Sequence, residues 1–375
     1  MPDTTASPPS APAPLPPAVA AWAEQIQTAA REGRGLRLQG GASKSFYGEP
    51  LPDTLEVLDS RVYRGIVSYE PTELVITARC GTPLADVEAA LAERGQCLAF
   101  EPPHFGAEAT VGGAVASGLS GPARASVGAL RDFVLGLQLL NGRGEHLTFG
   151  GQVMKNVAGY DVSRLLAGSL GSLGVITEVS LKVLPVAPAE ATLCFGLTQS
   201  TALERLARWR GQPLPLNASC WVRDLGAGAA QERLYVRLRG AVAAVEAACV
   251  RMLADAPGER LPASEVAADW QACREQTLPF FGQAPSADHG LWRLSVAATT
   301  PALDTPGDTL VEWHGALRWV WAPLAEGERL RRLAQQAGGH ATLFRPPASA
   351  PAVPGLPTES GQNTAWLQPV PRAAP

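Results

Sequence analysis

The sequence predicts an α+β fold, with a first domain over residues 18–188 and a smaller α+β domain with a mainly antiparallel sheet over 189–345. Three observations predict it. Short strand-like and helix-like stretches alternate through the first half, joined by short connections. Pro185–Val186–Ala187–Pro188 then interrupts the pattern and reads as a boundary. Beyond it, further strand-like runs are interspersed with helical ones. Residues 1–17, biased to proline and alanine, read as a disordered leader, and the proline-rich residues 346–375 as a disordered tail.

The elements follow in order. Residues 17–31 (PAVAAWAEQIQTAAR) place Trp22, Ile26 and Ala29–Ala30 on one helical face, and Gly33 stops the helix. LRLQ (36–39) reads as a strand running into the loop GGASKSFYG. Strands are expected at 66–69 and 74–79 around a Pro71–Thr72–Glu73 turn. Thr82 and Pro83 are a fitting N-cap and N1 pair for a helix through Arg94, closed by Gly95. CLAF (97–100) reads as a strand. Residues 132–149 read as a hairpin whose Asn141–Gly142 pair tolerates positive φ. A helix is expected at 157–167, and VITEVSLKVLP (175–185) alternates as a strand with Val175, Thr177, Val179, Leu181 and Val183 on one face. In the second half, strands are expected at 191–197, 219–225, 233–239, 290–297, 316–321 and 340–344. Helices are expected near 199–209, 241–254, 264–275 and 324–337.

Composition excludes several classes. With 46% hydrophobic and 18% charged residues over 375 positions, the chain reads as a soluble globular protein. A net charge of -4 speaks against nucleic acid or an anionic membrane surface as partner. No apolar run approaches the ~20 residues of a membrane span, and the first residues lack the basic and apolar regions of a secretory signal. A cytoplasmic location is expected, with any membrane association made through partner subunits and no direct insertion. Cys80, Cys97, Cys194, Cys220, Cys249 and Cys273 form no CxxC pair, and the histidines show no metal-ligand spacing, so neither a metal nor an iron–sulfur cluster is expected.

The most informative stretch is AGSLGSLGVIT (167–177), with glycine at 168, 171 and 174. In a helix interior each glycine costs about 1 kcal/mol relative to alanine, so bare backbone must be needed there. GGASKSFYG (40–48) and VGGAVASGLSG (111–121) share its chemistry: glycine, serine and no carboxylate. Such loops suit a phosphate, because backbone N–H groups can approach its oxygens and hydroxyls add donors. Lys44 supplies the full positive charge of the first loop. Taken singly each loop is an ordinary tight turn; three in one domain indicate a dinucleotide site. NAD is disfavoured because Gly33–Arg34–Gly35 meets Leu38 where a third glycine is required. No P-loop pattern occurs, and Ala167–Gly168–Ser169–Leu170–Gly171 follows a helix rather than a strand, unlike a nucleophile elbow.

The residues also resemble a known family. The run KNVAGYDVSRLLAGSLGSLGVITEVSLKVLP (155–185) is similar to the signature of glycolate oxidase and D-lactate dehydrogenase flavoprotein subunits, within the vanillyl-alcohol oxidase (PCMH-type) FAD-binding family. QGGASKSFYG and FEPPHFGAEATVGGAVASGLSGP narrow the resemblance to the FAD-binding E subunits of bacterial glycolate oxidases. It covers residues 20–190 strongly and the rest in outline. It implies a PCMH-type FAD-binding domain of two α+β subdomains followed by a cap-like domain. It also implies that Gly40, Gly41, Ala42, Ser43 and Lys44 hold the FAD pyrophosphate. Thr110, Val111, Gly112, Gly113, Ser117 and Gly118 would line pyrophosphate and flavin. Gly174, Val175 and Ile176 would make main-chain contacts, and close approach of the cofactor would account for glycine at 171 and 174. Residues 40–48 contain no histidine or cysteine for a covalent link, so the FAD is expected to be non-covalent.

The implied activity is oxidation of a small 2-hydroxy acid, glycolate, to the 2-oxo acid, with electrons passing onward. The implied partners are a second FAD-binding glycolate oxidase subunit and an iron–sulfur subunit. The chain departs from the catalytic branch of the family in three places. Gly168–Ser169–Leu170–Gly171 stands where Gly-Ser-Glu-Gly is usual, residues 189–345 contain no histidine-rich Gly-Asp-Gly-Asn motif, and Gln368–Pro369–Val370–Pro371 replaces a C-terminal Asn-Pro-Gly segment. The alternatives are therefore a self-sufficient 2-hydroxy-acid dehydrogenase and a non-catalytic electron-relay or assembly subunit. No catalytic residue is assigned. His104 reads as ordering the Pro102–Pro103 turn or as a hydrogen-bonding group beside the flavin. Lys155 and Tyr160 read as helix surface or flavin edge.

Overall fold

In the computed structural model, which describes residues 14–49, 51–151, 161–224, 231–282 and 284–347, the chain opens on the expected amphipathic helix. α1 (Pro17–Arg31) buries Val19, Trp22, Ala23, Ile26 and Ala29 among Leu36, Leu58, Leu140 and Val175. Each large apolar side chain so buried contributes roughly 1.5–3 kcal/mol. β1 (Leu36–Gln39) pairs in parallel with β2 (Glu56–Asp59). The latter has no signature in the sequence, since only Leu58 of its four residues is buried.

β3 (Ile66–Glu70) and β4 (Val75–Arg79) form the expected hairpin. α2 (Leu84–Ala92) starts one residue later than its capping pair suggests and ends before Arg94, with Pro83 as N-cap. The Thr82 hydroxyl is spent elsewhere: it donates to the Arg79 carbonyl at 2.7 Å and accepts the Gly65 N–H at 2.9 Å. CLAF is not a full strand. Only Cys97 joins the two-residue β5 (Gln96–Cys97), while Leu98, Ala99 and Phe100 are buried as core without a ladder. α3 (Val111–Ser117) and α4 (Arg124–Val127) follow, then the hairpin of β6 (Val134–Leu140) and β7 (His146–Gly150). Its turn needs positive φ at Gly144 (73°), not at Gly142. The Asn141 side-chain oxygen accepts the Arg143 and Glu145 N–H groups and holds it.

α5 (Val162–Leu166) is capped by Asp161; residues 157–160 of the expected helix, with Lys155 and Tyr160, lie outside the described residues. β8 (Val175–Lys182) is central in a five-stranded antiparallel sheet of order β3-β4-β8-β6-β7. β9 (Leu184–Pro185) pairs with β5.

The second half builds one eight-stranded antiparallel sheet from β10 (Ala189–Phe195), β11 (Leu216–Asp224), β12 (Gln231–Gly240), β13 (Gly258–Leu261), β14 (His289–Ser295), β15 (Thr309–Glu312), β16 (Leu317–Pro323) and β17 (His340–Arg345). Their order is β13-β10-β12-β11-β15-β16-β14-β17. The short β13 and β15 are unforeseen, and the others fall within a few residues of expectation. One face is covered by α6 (Gln199–Arg210) and α7 (Val242–Asp255) around Trp209 and Phe195, and by α10 (Gly327–Gln336). The other face, partly covered by α8 (Ala263–Glu275) and α9 (Pro279–Gly282), meets the first half of the chain. There Phe46, Tyr47, Phe105 and Leu119 pack with Trp313, Trp319 and Phe344. Phe46 and Tyr47 lie 5.5 and 5.1 Å from the Phe344 ring, so the first glycine loop is pinned to the second sheet.

Candidate functional site

The three glycine loops converge. A Cβ on Gly40 would stand 2.5 Å from Thr110 Oγ1, and one on Gly41 only 1.5 Å from the Glu108 carbonyl oxygen. The first loop therefore lies directly against the entry to α3. A Cβ on Gly118, which ends α3 with a left-handed φ of 62°, would meet Gly168 Cα at 2.8 Å. The Gly168 and Leu170 N–H groups donate to the Val115 and Ala116 carbonyls, so the third loop packs on α3 as well. Gly48 and Leu170 join the outer loops across this junction.

The loops differ in which amides remain unspent. Those of Val111 and Gly112 donate to the Thr82 and Cys80 carbonyls, and that of Gly113 to the Thr110 hydroxyl at 3.2 Å. Tight seating of α3 on β4 thus uses the amides that the glycine pair might have turned to a ligand. By contrast, none of the Gly41, Ala42, Ser43 and Lys44 N–H groups donates to another group among the described residues. Ala42 has φ 55°, and such a left-handed residue within a run of free amides makes a concave, anion-accepting turn. Among the described residues, Ser169 Oγ is buried without a partner, an arrangement that costs about 1–3 kcal/mol unless something else satisfies it. Gly113 is also unexplained by packing, since a Cβ there would meet only Thr110 Oγ1, at 3.1 Å.

The remaining expected residues have roles within the protein. Gly171 and Gly174 have φ 79° and 143°. Their Cβ atoms would crowd Leu38 at 2.8 Å and the Leu140 carbonyl at 2.4 Å, so the fold itself demands glycine at both. Val175 and Ile176 are buried and pair with Leu140 and Leu139 in the ladder. The Ser117 hydroxyl donates to the Ala114 carbonyl.

Lys44 stands at the centre of the local electrostatics. Its Nζ donates to the His104 carbonyl at 3.1 Å and lies over the Phe105 ring. Burial pushes its pKa down to about 8, with the Glu275 charge acting in opposition. Glu275, at the end of α8, accepts both the His104 and Phe105 N–H groups, at 2.9 and 2.8 Å. The His104 ring itself is engaged by Glu88 of α2 at 3.1 Å. Glu101 and Phe105, which bracket this loop, have φ 48° and 54°; such strain persists only where surroundings over-determine it. Glu101 supplies one clamp, since it receives Arg237 at 2.6 Å and Arg239 at 3.1 Å from β12. Burial raises its pKa, but the two guanidiniums outweigh that and hold it below the usual carboxylate range.

Sequence reading missed a polar cluster on the sheet face beyond these loops, because its members lie far apart in the chain. Trp313 Nε1 donates to the Gly121 carbonyl at 3.0 Å. Arg293 lies over the Trp313 and Trp319 rings, and its Nε is buried without a partner among the described residues. Glu312 accepts Trp319 Nε1–H at 2.6 Å and the Cys273 thiol at 3.2 Å. These groups line a cavity of about 20 Å³ between the Leu119–Gly121 turn and the sheet. A larger cavity of about 800 Å³, with Trp270, Phe280 and Trp321 in its wall, lies on the same face. Among the described residues, no group of three or more histidine, cysteine or acidic side chains is placed to hold a metal ion.

Residues 15–150 match the family described as "FAD binding domain". The chain is 48% identical over 322 residues to "Glycolate oxidase subunit GlcE" of Escherichia coli (strain K12), covering 86% of this chain and 85% of that protein. It is 32% identical over 130 residues to "Glycolate oxidase subunit GlcD" of Bacillus subtilis (strain 168), or 34% of this chain and 27% of that one. A "D-lactate dehydrogenase" of Archaeoglobus fulgidus is 39% identical over 154 residues, 41% of this chain and 32% of its own length. Among solved structures, an alkyldihydroxyacetonephosphate synthase superposes with a TM-score of 0.60 at 14% identity, over 84% of this chain and 70% of its own, a likeness of fold alone.

Proposed function

Because the chain belongs to the family of glycolate oxidase subunit GlcE and carries an FAD-binding domain, we propose that it is the FAD-binding subunit of a multi-subunit glycolate oxidase. In this reading it takes part in oxidising glycolate, a small 2-hydroxy acid, to glyoxylate. Electrons leave through a second FAD-binding subunit and an iron–sulfur subunit. The observation that carries the reading is the row of unspent amides at 41–44, closed by Lys44 and laid against Thr110 and α3.

The residues fit the cofactor. Gly40, Gly41, Ala42, Ser43 and Lys44 hold the pyrophosphate by backbone N–H groups and one ammonium. Gly113, open on the side away from Thr110, leaves room for the cofactor to lie along α3, with Gly118 allowing the turn after it. The Ser169 hydroxyl supplies a further donor. Gly174, just before β8, and the backbone of Val175 and Ile176, whose side chains stay in the core, shape the floor. Bound FAD supplies the hydride acceptor; the chain positions it, excludes water and sets the local charge. No histidine or cysteine lies in residues 40–48, so the FAD is held non-covalently and is released on denaturation.

Anaerobic addition of glycolate to the FAD-loaded chain, alone and with co-expressed partners, tests the proposal. Bleaching of the flavin band in the assembled complex is expected. Bleaching by the isolated chain would make it a complete dehydrogenase, and no bleaching of its flavin in either setting would leave only the relay or assembly role.

A further inference from the structure

The 20 Å³ cavity holds a carboxyl group that the reading above does not use. Glu312, at the end of β15, is 4% exposed. Two donors aim at it, Trp319 Nε1–H at one oxygen and the Cys273 thiol at the other, which leaves each oxygen a further lone pair. Immediately after it Trp313 and His314 have φ 52° and 54°, so the strand end is held in a strained backbone that fixes the carboxyl's position. The unpartnered Arg293 Nε shares the cavity, which is large enough for one oxygen atom and is walled by the turn that follows Ser117–Gly118.

We infer that Glu312 takes up the hydroxyl proton when the hydroxy acid is oxidised at this site, an inference that rests on the chain's reading as a hydroxy-acid oxidoreductase. The step balances. The Cα–H bond of the 2-hydroxy acid breaks and its electron pair leaves as hydride to the cofactor. The hydroxyl O–H bond breaks with its proton passing to the Glu312 carboxylate, and the carbon–oxygen bond becomes the carbonyl of the 2-oxo acid. The groups facing Glu312 are Cys273 from α8, Cys220 across the ladder on β11, Arg293 from β14 and Glu101 from the clamped loop. Burial, only partly offset by the Trp319, Cys273 and Arg293 interactions, raises its pKa to about 7. A group titrating there can accept a proton and return it at neutral pH.

The test uses the full FAD-loaded chain with its partners and measures flavin reduction by glycolate from pH 5 to 9. Wild type should lose rate about tenfold per pH unit below 7. Glu312→Gln should slow reduction by roughly 10²–10⁴-fold and abolish that limb. Cys273→Ala removes a donor to the charged carboxylate, so its limb should move to higher pH even if the glutamine variant folds poorly. Infrared titration of the full chain gives a readout independent of turnover: a carboxyl band that ionises near neutral pH should be present in wild type and missing in Glu312→Gln. A glutamine variant with the wild-type limb, or an unchanged carboxyl band, overturns the inference. Failure of the underlying reading looks different: wild-type flavin that glycolate bleaches at no pH, with the infrared band still present, removes the proton's source and overturns both.

Discussion

In the proposed site, Lys44 would couple the fold to its cofactor. Its pKa, pushed from 10.5 to about 8 by burial, means that the empty site loses a charge just above neutrality. A diphosphate favours the ammonium, so FAD bound as proposed would raise that pKa again. The sign follows from linkage: between the two values binding takes up a proton, and affinity falls as pH rises above about 8. The stability of the empty fold moves in the opposite sense. Its depressed lysine binds fewer protons than the unfolded chain between pH 8 and 10.5, so this group's contribution grows more favourable across that window. Lys44→Met should weaken FAD binding roughly ten- to a hundredfold and flatten its pH dependence above 8, both read by fluorescence titration. The presence of Lys44 and its glycine neighbours was legible in the sequence. The unpartnered Ser169 hydroxyl was not, since only the fold decides which hydroxyl in a glycine run lacks a partner.

At the scale of elements, the loop from Glu101 to Gly106 joins the two sheets. Glu101 reaches Arg237 and Arg239 of β12 and also accepts the Ala123 N–H at 3.1 Å. Removing one member of a buried pair leaves an uncompensated charge, so Glu101→Gln should cost roughly 3–5 kcal/mol in denaturant unfolding. Because the folded Glu101 has a pKa below its ordinary 4.5, the clamp is intact above that pH and is lost as pH falls through the folded value. Acid titration of the wild-type chain should release the contact between sheets before either sheet melts, seen as a change in tryptophan fluorescence while far-ultraviolet circular dichroism holds. Periodicity made α1, β8 and the long strands of the second sheet legible, because they bury continuous stripes. It could not reveal β2, β13 or β15, whose few residues are defined by the neighbours they pair with. It also misplaced the start of α2, where Thr82 had the chemistry of a cap but its hydroxyl was claimed by Arg79 and Gly65.

Over the whole molecule, the clamped loop, the Leu119–Gly121 turn and the sheet face with Arg293 and Glu312 enclose a small cavity between the two halves. Phe46 and Tyr47 bind the first loop to Phe344, so disturbance of the second sheet should reach the cofactor. Phe344→Ala should cost about 3–5 kcal/mol and accelerate FAD loss, measured as release after dilution. Among the described residues no helix is long and apolar enough to cross a membrane. The central claim is that residues 40–44, 110–118 and 168–176 form one FAD cradle, and Gly113 tests it most directly. A Cβ there meets only Thr110 Oγ1 within the protein, yet in the proposed cradle a valine would stand where the cofactor runs. Titration of FAD onto the full chain, with circular dichroism to confirm folding, should give one bound FAD in wild type and none in a folded Gly113→Val variant. Undiminished FAD binding by that variant would contradict the cradle.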